Sequence, residues 1–340
     1  KTMGFEKVTA RANVDHQINK TFKIGTSTLL SHSVQQRGGG NTALDEAVNQ
    51  TPLGLPYDTS PGGLPENLAT TDKNNPKLLF LPISDGIRSN PLSELVPGKR
   101  FDDRNVDRVF SSVYAEVNLF KGLKYKLLIG ADIGYNTNGT FEGQFTGARK
   151  NGTPAASYTN ELNTGYTIEN LLTYNKRINE DHDFGATFLQ SIQGNDYQRH
   201  FTSVADLPYE SQKWYNLSSA PTLVAKESIL SQWRLASFMG RLNYSFKGKY
   251  LVQATLRSDG SSRLSPGNKW TNFPGVSLGW RISDENFMTA IPVLNELKLR
   301  ASYGSVGNTS VDPYQTAGRL QSDPTRYSWD ETSALGFALF

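Results

Sequence analysis

The feature that most constrains this chain is a repeated unit: two long alternating strands, a very short turn, then a long polar connection. The clearest copy runs 236–246, turns at Lys247-Gly248 and returns over 250–257. Ala236, Phe238, Gly240, Leu242, Tyr244 and Phe246 are apolar or aromatic, and so are Tyr250, Val252, Ala254 and Leu256. Between them stand Arg241, Asn243, Gln253, Thr255 and Arg257. Side chains on a strand alternate between faces, so each strand presents one greasy and one polar, partly charged face. A soluble sandwich gives this pattern, and so does a membrane barrel that is apolar outside and wet inside.

Alternation predicts ten strands, paired as 4–17 with 21–34, 107–120 with 123–136, 165–178 with 182–194, 236–246 with 250–257, and 273–283 with 296–306. Compact turns close the pairs at Asn19-Lys20, Lys121-Gly122, Asn179-Glu180-Asp181 and Lys247-Gly248. Long Gly/Pro/Asn-rich stretches separate them, over 35–106, 137–164, 195–230, 263–272 and from 307 onward. The turn at 284–295 is the exception, no shorter than the connection at 263–272, and is read as a helical stub around Asp284–Met288. One trimmed end and one elaborated end is a property of outer-membrane barrels.

Strand length argues the same way. Globular strands average about five or six residues, whereas a tilted membrane strand needs about 9–11 for the hydrocarbon alone. Phe120, Tyr125, Tyr174, Tyr244, Phe246 and Tyr250 cluster beside the short turns, where rings at headgroup level would form an interfacial girdle. No run approaches the roughly 18 apolar residues of a spanning helix. That excludes a helical membrane protein and leaves a barrel open. With 35 basic and 32 acidic residues, bulk charge gives no sign of nucleic-acid binding. The absence of cysteine fits an extracytoplasmic compartment, weakly.

The chain starts Lys1-Thr2-Met3-Gly4-Phe5 and is already alternating at Val8, Ala10, Ala12 and Val14, with no signal-like segment. It therefore reads as a fragment. At the other end Phe340 could be a terminal aromatic assembly signal, but 334–340 lacks the alternation of a closing strand, and truncation is the preferred reading.

Four motifs follow in order through 236–315. They are Gly240-Arg241-Leu242-Asn243-Tyr244, Arg257-Ser258-Asp259-Gly260-Ser261-Ser262-Arg263, Phe273-Pro274-Gly275 with Trp280-Arg281, and Leu299-Arg300-Ala301-Ser302-Tyr303-Gly304 with Gly307-Asn308. This series resembles the barrel of SusC/RagA-type TonB-linked outer-membrane transporters of Bacteroidota. The resemblance implies an all-β fold, an antiparallel transmembrane β-barrel of about 22 strands with a plugged lumen. Residues 1–340 would be part of that one barrel domain, with the plug, signal peptide and final strands absent. It further implies a SusD-like surface lipoprotein as lid, TonB acting through the missing N-terminal region, and an oligosaccharide or peptide as ligand. Ten strands alone would leave two unpaired edges that lipid cannot satisfy, so this stretch by itself is not expected to transport.

No catalytic constellation stands out. His16, His32, His182 and His200 lack metal-ligand spacing. Residues 102–107 are acidic but lack the glycine and final glutamate of a calcium loop, and are read as a solvated loop. Gly38-Gly39-Gly40 is followed by no Lys-Ser/Thr and no helical pattern. No cofactor is expected. Arg241, Arg257, Arg281, Lys298 and Arg300 are candidate lumen-facing residues, more suited to a plug's carboxylates than to ligand. Tyr57, Tyr209, Trp214, Tyr215, Trp270 and Trp329 are loop aromatics suited to sugar rings, to loop packing or to the lid protein.

Two other classes stand beside the importer: a non-transporting outer-membrane adhesin or structural barrel, and, remotely, an outer-membrane enzyme. In either membrane reading 35–106 and 195–230 face outside the cell.

Overall fold

The computed structural model describes residues 3–38, 40–49, 90–149, 152–290, 293–317, 320–329 and 332–339. Ten strands form one antiparallel sheet in chain order, each bonded to the next. They are β1 (Gly4–Gln17), β2 (Phe22–Gln36), β3 (Arg100–Phe120), β4 (Leu123–Glu142), β5 (Ala155–Ile178), β6 (His182–Ala205), β7 (Thr222–Phe246), β8 (Tyr250–Ser261), β9 (Trp270–Arg281) and β10 (Lys298–Gly304). A helix, α1 (Gly40–Val48), follows β2, and a separate two-stranded pair, β11 (Leu320–Trp329) and β12 (Thr332–Leu339), ends the chain.

Every short turn falls where alternation puts it, and the turns have local causes. At 18–21 the Asn19 side chain accepts from the backbone N–H groups of Thr21 and Phe22, at 2.8 and 2.9 Å. At the β7–β8 turn Lys247 and Gly248 both have positive φ, 53° and 66°. That is the signature of the primed hairpin turns whose twist matches the strands. The corner after β9 is built from two short 3-10 turns, Ile282–Asp284 and Asn286–Ala290, in place of a tight turn.

The register assigns each residue to a face. One row runs Val14, Thr26, Val113, Ile129, Ile168, Ile192, Ala236, Gly260 from β1 to β8. A row on the opposite face runs Lys124, Thr173, Thr187, Arg241, Thr255, Gly275, Gly304 from β4 to β10. Among the described residues nothing covers the large side chains in the middle rows of the apolar face: Val113 is 54%, Leu242 64% and Leu278 53% exposed. The buried apolar residues, among those described, are only Ala43, Phe141, Ala156, Val204, Ala205, Leu207 and Met288. A soluble sandwich of this length would bury a far larger core and would not leave a continuous apolar face to water. Lipid is the partner that this face fits.

Beside the short turns the aromatic rings lie against one another, some stacked and some edge-on. Phe120 lies 6.4 Å from Tyr174, Phe184 4.7 Å from Tyr244, Phe246 6.2 Å from Tyr250, Tyr250 6.5 Å from Trp280, and Trp280 6.5 Å from Phe287. Phe120 joins this row because a register shift between Asn118 and Phe120 moves it onto the apolar face.

The structure corrects the sequence reading at the other end of the sheet. Strands continue past the predicted boundaries, so the connections shrink to 37–99, 143–154, 206–221 and 262–269. Alternation fades there because neither face needs to be greasy above the lipid. Residues 102–107 therefore lie in β3 and not in a loop; Asp102 accepts from Arg37 at 2.8 Å and Asp107 pairs with His32 Nδ1 at 2.7 Å. A helix does begin at Gly40, although the sequence there shows no helical pattern. It spans nine residues, too few to establish a period. The stretch 320–339 forms the β11–β12 hairpin in place of an irregular loop. Tyr57, Gly39 and Phe340 lie outside the described residues.

Candidate functional site

The polar face is one candidate surface. All five predicted cations share it. Arg241 lies opposite Thr255, Arg257 opposite Met239, Arg281 opposite Lys298, and Arg300 opposite Gly279. They divide into two kinds. Arg257 is anchored, with Nε donating to both Asp259 oxygens at 2.8 and 2.9 Å and Nη2 to Ser237 at 3.1 Å. Arg281 is paired with Asp284 at 3.3 Å. Arg241, Lys298 and Arg300 have no ion pair or side-chain hydrogen bond among the described residues. Lys298, Arg300 and Arg177 border a hollow of about 870 Å³ near the short turns, floored by Gly185, Asn243 and Gly279.

Nearer the long connections the same face carries a network that sequence reasoning did not single out. Arg104 Nε donates to Asn136 at 2.9 Å, Asn136 donates to Glu161, and Tyr197 donates to Glu161 at 3.0 Å. Arg199 bridges Glu161 and Glu227. Arg108 forks onto Asp132 at 2.8 and 2.5 Å. Alternate charged residues at 104, 108, 132, 161, 199 and 227 carried the signal, but most of them sat in segments read as connections.

The loop aromatics do not gather in one place. The connection 206–221 folds back against the apolar face, above the lipid-facing rows. Phe141, Ala156, Val204 and Leu207 form a buried cluster there, with Phe101, Trp214, Leu217 and Ala220 packed on it. Glu210 pins the connection: it accepts from Lys99 Nζ at 2.7 Å and from the Gln144 backbone N–H at 2.9 Å. The Thr153 and Thr222 hydroxyls donate to Asp206 and hold its carboxyl below the ordinary range. Tyr209 and Tyr215 are exposed, the latter 5.0 Å from Trp214 ring to ring. Trp270 belongs to a strand, opening β9 opposite Gly260 and stacking on Phe238 at 6.0 Å. Trp329 is the last residue of β11.

Among the described residues no group of three or more His, Asp or Glu is placed to hold a metal ion, and no helix is long and apolar enough to cross a membrane, which says nothing about strands. A sheet greasy on one face, charged on the other, ringed by aromatics and trimmed at one end defines the wall of an outer-membrane β-barrel.

No profile of a known protein family matches the chain. TonB-dependent receptor P3 of Formosa agariphila is 30% identical over 338 residues, an alignment covering 93% of this chain and 31% of that receptor. TonB-dependent receptor SusC of Bacteroides thetaiotaomicron is 34% identical over 143 residues, covering 41% of this chain and 14% of SusC. Among solved structures, the RagAB peptide transporter superposes with a TM-score of 0.72 at 20% identity, covering 99% of this chain and 36% of that one. The chain belongs to the TonB-dependent receptors of the bacterial outer membrane, SusC among them. It spans about a third of the length of the first of these relatives (31%).

Proposed function

We propose that this chain is wall and loop rim of an energy-coupled nutrient importer that takes up oligosaccharides or peptides under a SusD-like lipoprotein lid. The observation that carries the reading is the division of the wall cations: Arg257 and Arg281 are paired with neighbouring carboxylates, while among the described residues Arg241, Lys298 and Arg300 have no partner on the polar face. Free cations facing a lumen suit the carboxylates and backbone carbonyls of a plug that must be held and then moved. Residues 1–340 are part of one barrel domain in this account, and TonB acts on the plug and not on the wall. The relatives' names supply the receptor class, and the RagAB likeness makes a peptide one of the two ligand classes. A binding and transport role, with no chemistry on the ligand, follows.

The test is uptake. Deleting the gene that carries this chain abolishes import of one class of labelled oligosaccharide or oligopeptide, and blocking TonB reproduces the loss. Unchanged uptake of both classes, with loss of surface attachment, would favour the adhesin instead.

A further inference from the structure

The connection 206–221 does more than pack. Between it and the sheet lies a hollow of about 540 Å³ whose lining includes Asp103, Asn105, Thr137, Tyr158, Trp214 and Tyr215. That size is within the range of small-molecule sites, roughly 300–1,000 Å³. Its position is set by register. Gly139 pairs with Tyr158 and Asn105 with Thr137, and all four share the face of Val113, Ile129 and Ile168. The hollow therefore opens away from the lumen, on the outside of the wall.

Its height is set by the strand. On β4 the outward face is apolar or aromatic from Tyr125 through Leu127, Ile129, Ala131 and Ile133 to Tyr135, then turns polar at Thr137. Gly139 is four residues beyond Tyr135, about 13 Å along a strand at ~3.3 Å per residue and about 10 Å above the ring once strand tilt is included. That is headgroup depth. An imported ligand passing through the lumen does not reach this surface.

The chemistry is that of a sugar site. Trp214 and Tyr215 present adjacent rings, suited to the apolar face of a pyranose, while Asp103, Asn105 and Thr137 supply the polar floor. The Trp214 ring is held in place: Phe101 meets it edge-on at 6.0 Å, and Lys213 Nζ sits 3.6 Å from the Phe101 ring centre. We propose that this hollow binds the sugar headgroup of an outer-leaflet glycolipid beside the barrel. It would anchor the loop rim to the membrane surface, separately from any nutrient site.

The experiment uses the whole receptor that carries this chain, extracted from its own outer membrane in a sugar-free detergent, with retained glycolipid counted per protein by mass spectrometry. Trp214→Ala and, separately, Asn105→Ala lower the retained glycolipid about fivefold or more, the scale of losing one aromatic or polar contact of about 1 kcal/mol. Tyr209→Ala, exposed and outside the hollow, leaves it unchanged. Asn105→Ala removes no ring from the Phe101–Trp214 packing, so it reads binding where Trp214→Ala is found to impair folding. Wild-type retention in folded Asn105→Ala protein would overturn the proposal. So would displacement of the glycolipid by soluble maltoheptaose, which would make the hollow a nutrient subsite.

Discussion

Trp214 occupies the space that a side chain at position 139 would need: a Cβ on Gly139 would come within 2.2 Å of the indole Cε2. The connection 206–221 can lie on the wall because that strand residue is glycine. Gly139→Ala is expected to lift the ring, costing about 1–3 kcal/mol of local packing. Protease should then cut at 206–221 faster than in wild type, with the barrel intact by heat-modifiability.

The short turns should tolerate different changes. Lys247 holds a positive φ at a cost that asparagine avoids, so Lys247→Asn is expected to be neutral or to stabilise by a few tenths of a kcal/mol. Gly122→Ala is expected to be damaging, because φ is 90° and a Cβ would come within 2.2 Å of the Asn175 carbonyl oxygen. Assembled barrel yield, compared between the two variants, checks the pair.

The corner after β9 should be acid-sensitive. Glu285 accepts from Tyr250, from Trp280 Nε1 at 3.0 Å and from Lys249 Nζ at 3.3 Å, and these donors hold its carboxyl below the ordinary glutamate range. A depressed folded-state value means the contribution is complete above the unfolded-state value and is lost as pH falls through the folded one. Trp280 fluorescence is expected to change only in that acid window, and Glu285→Gln to abolish the transition.

The two kinds of wall cation should separate by assay. Arg257→Gln leaves Asp259 without its fork and is expected to lower barrel stability by about 1–3 kcal/mol. Arg241→Gln and Arg300→Gln break no pair among the described residues and are expected to change uptake with little effect on stability. Melting of the purified receptor beside transport in cells distinguishes them.

The ten strands and all their short turns were legible because lipid imposes one rule on one face, and rows such as Ile129, Ile168 and Ile192 obey it. Above the lipid that rule lapses. Residues 195–205 are strand by pairing with β7, yet alternate no hydrophobic pattern that could announce it. That the five candidate cations share one face was legible from the same parity. The Glu161–Arg199–Glu227 network was not, since it joins three strands whose register only the fold supplies. Trp214 was legible as an exposed-loop aromatic, but its seat on Gly139 is a contact between residues 75 apart, and nothing local encodes it.

The apolar face is expected to meet lipid with the long connections outside the cell and the short turns within. Residues 1–340 contain no cysteine, so a thiol introduced among them is the single one there, and labelling is read against the unsubstituted receptor. Ser218→Cys in the connection 206–221 and Lys121→Cys in the β3–β4 turn, each exposed, can be labelled in intact cells with a membrane-impermeant maleimide. Labelling at 218, with 121 reactive only after the outer membrane is breached, is the predicted result; labelling at 121 in intact cells would contradict the account.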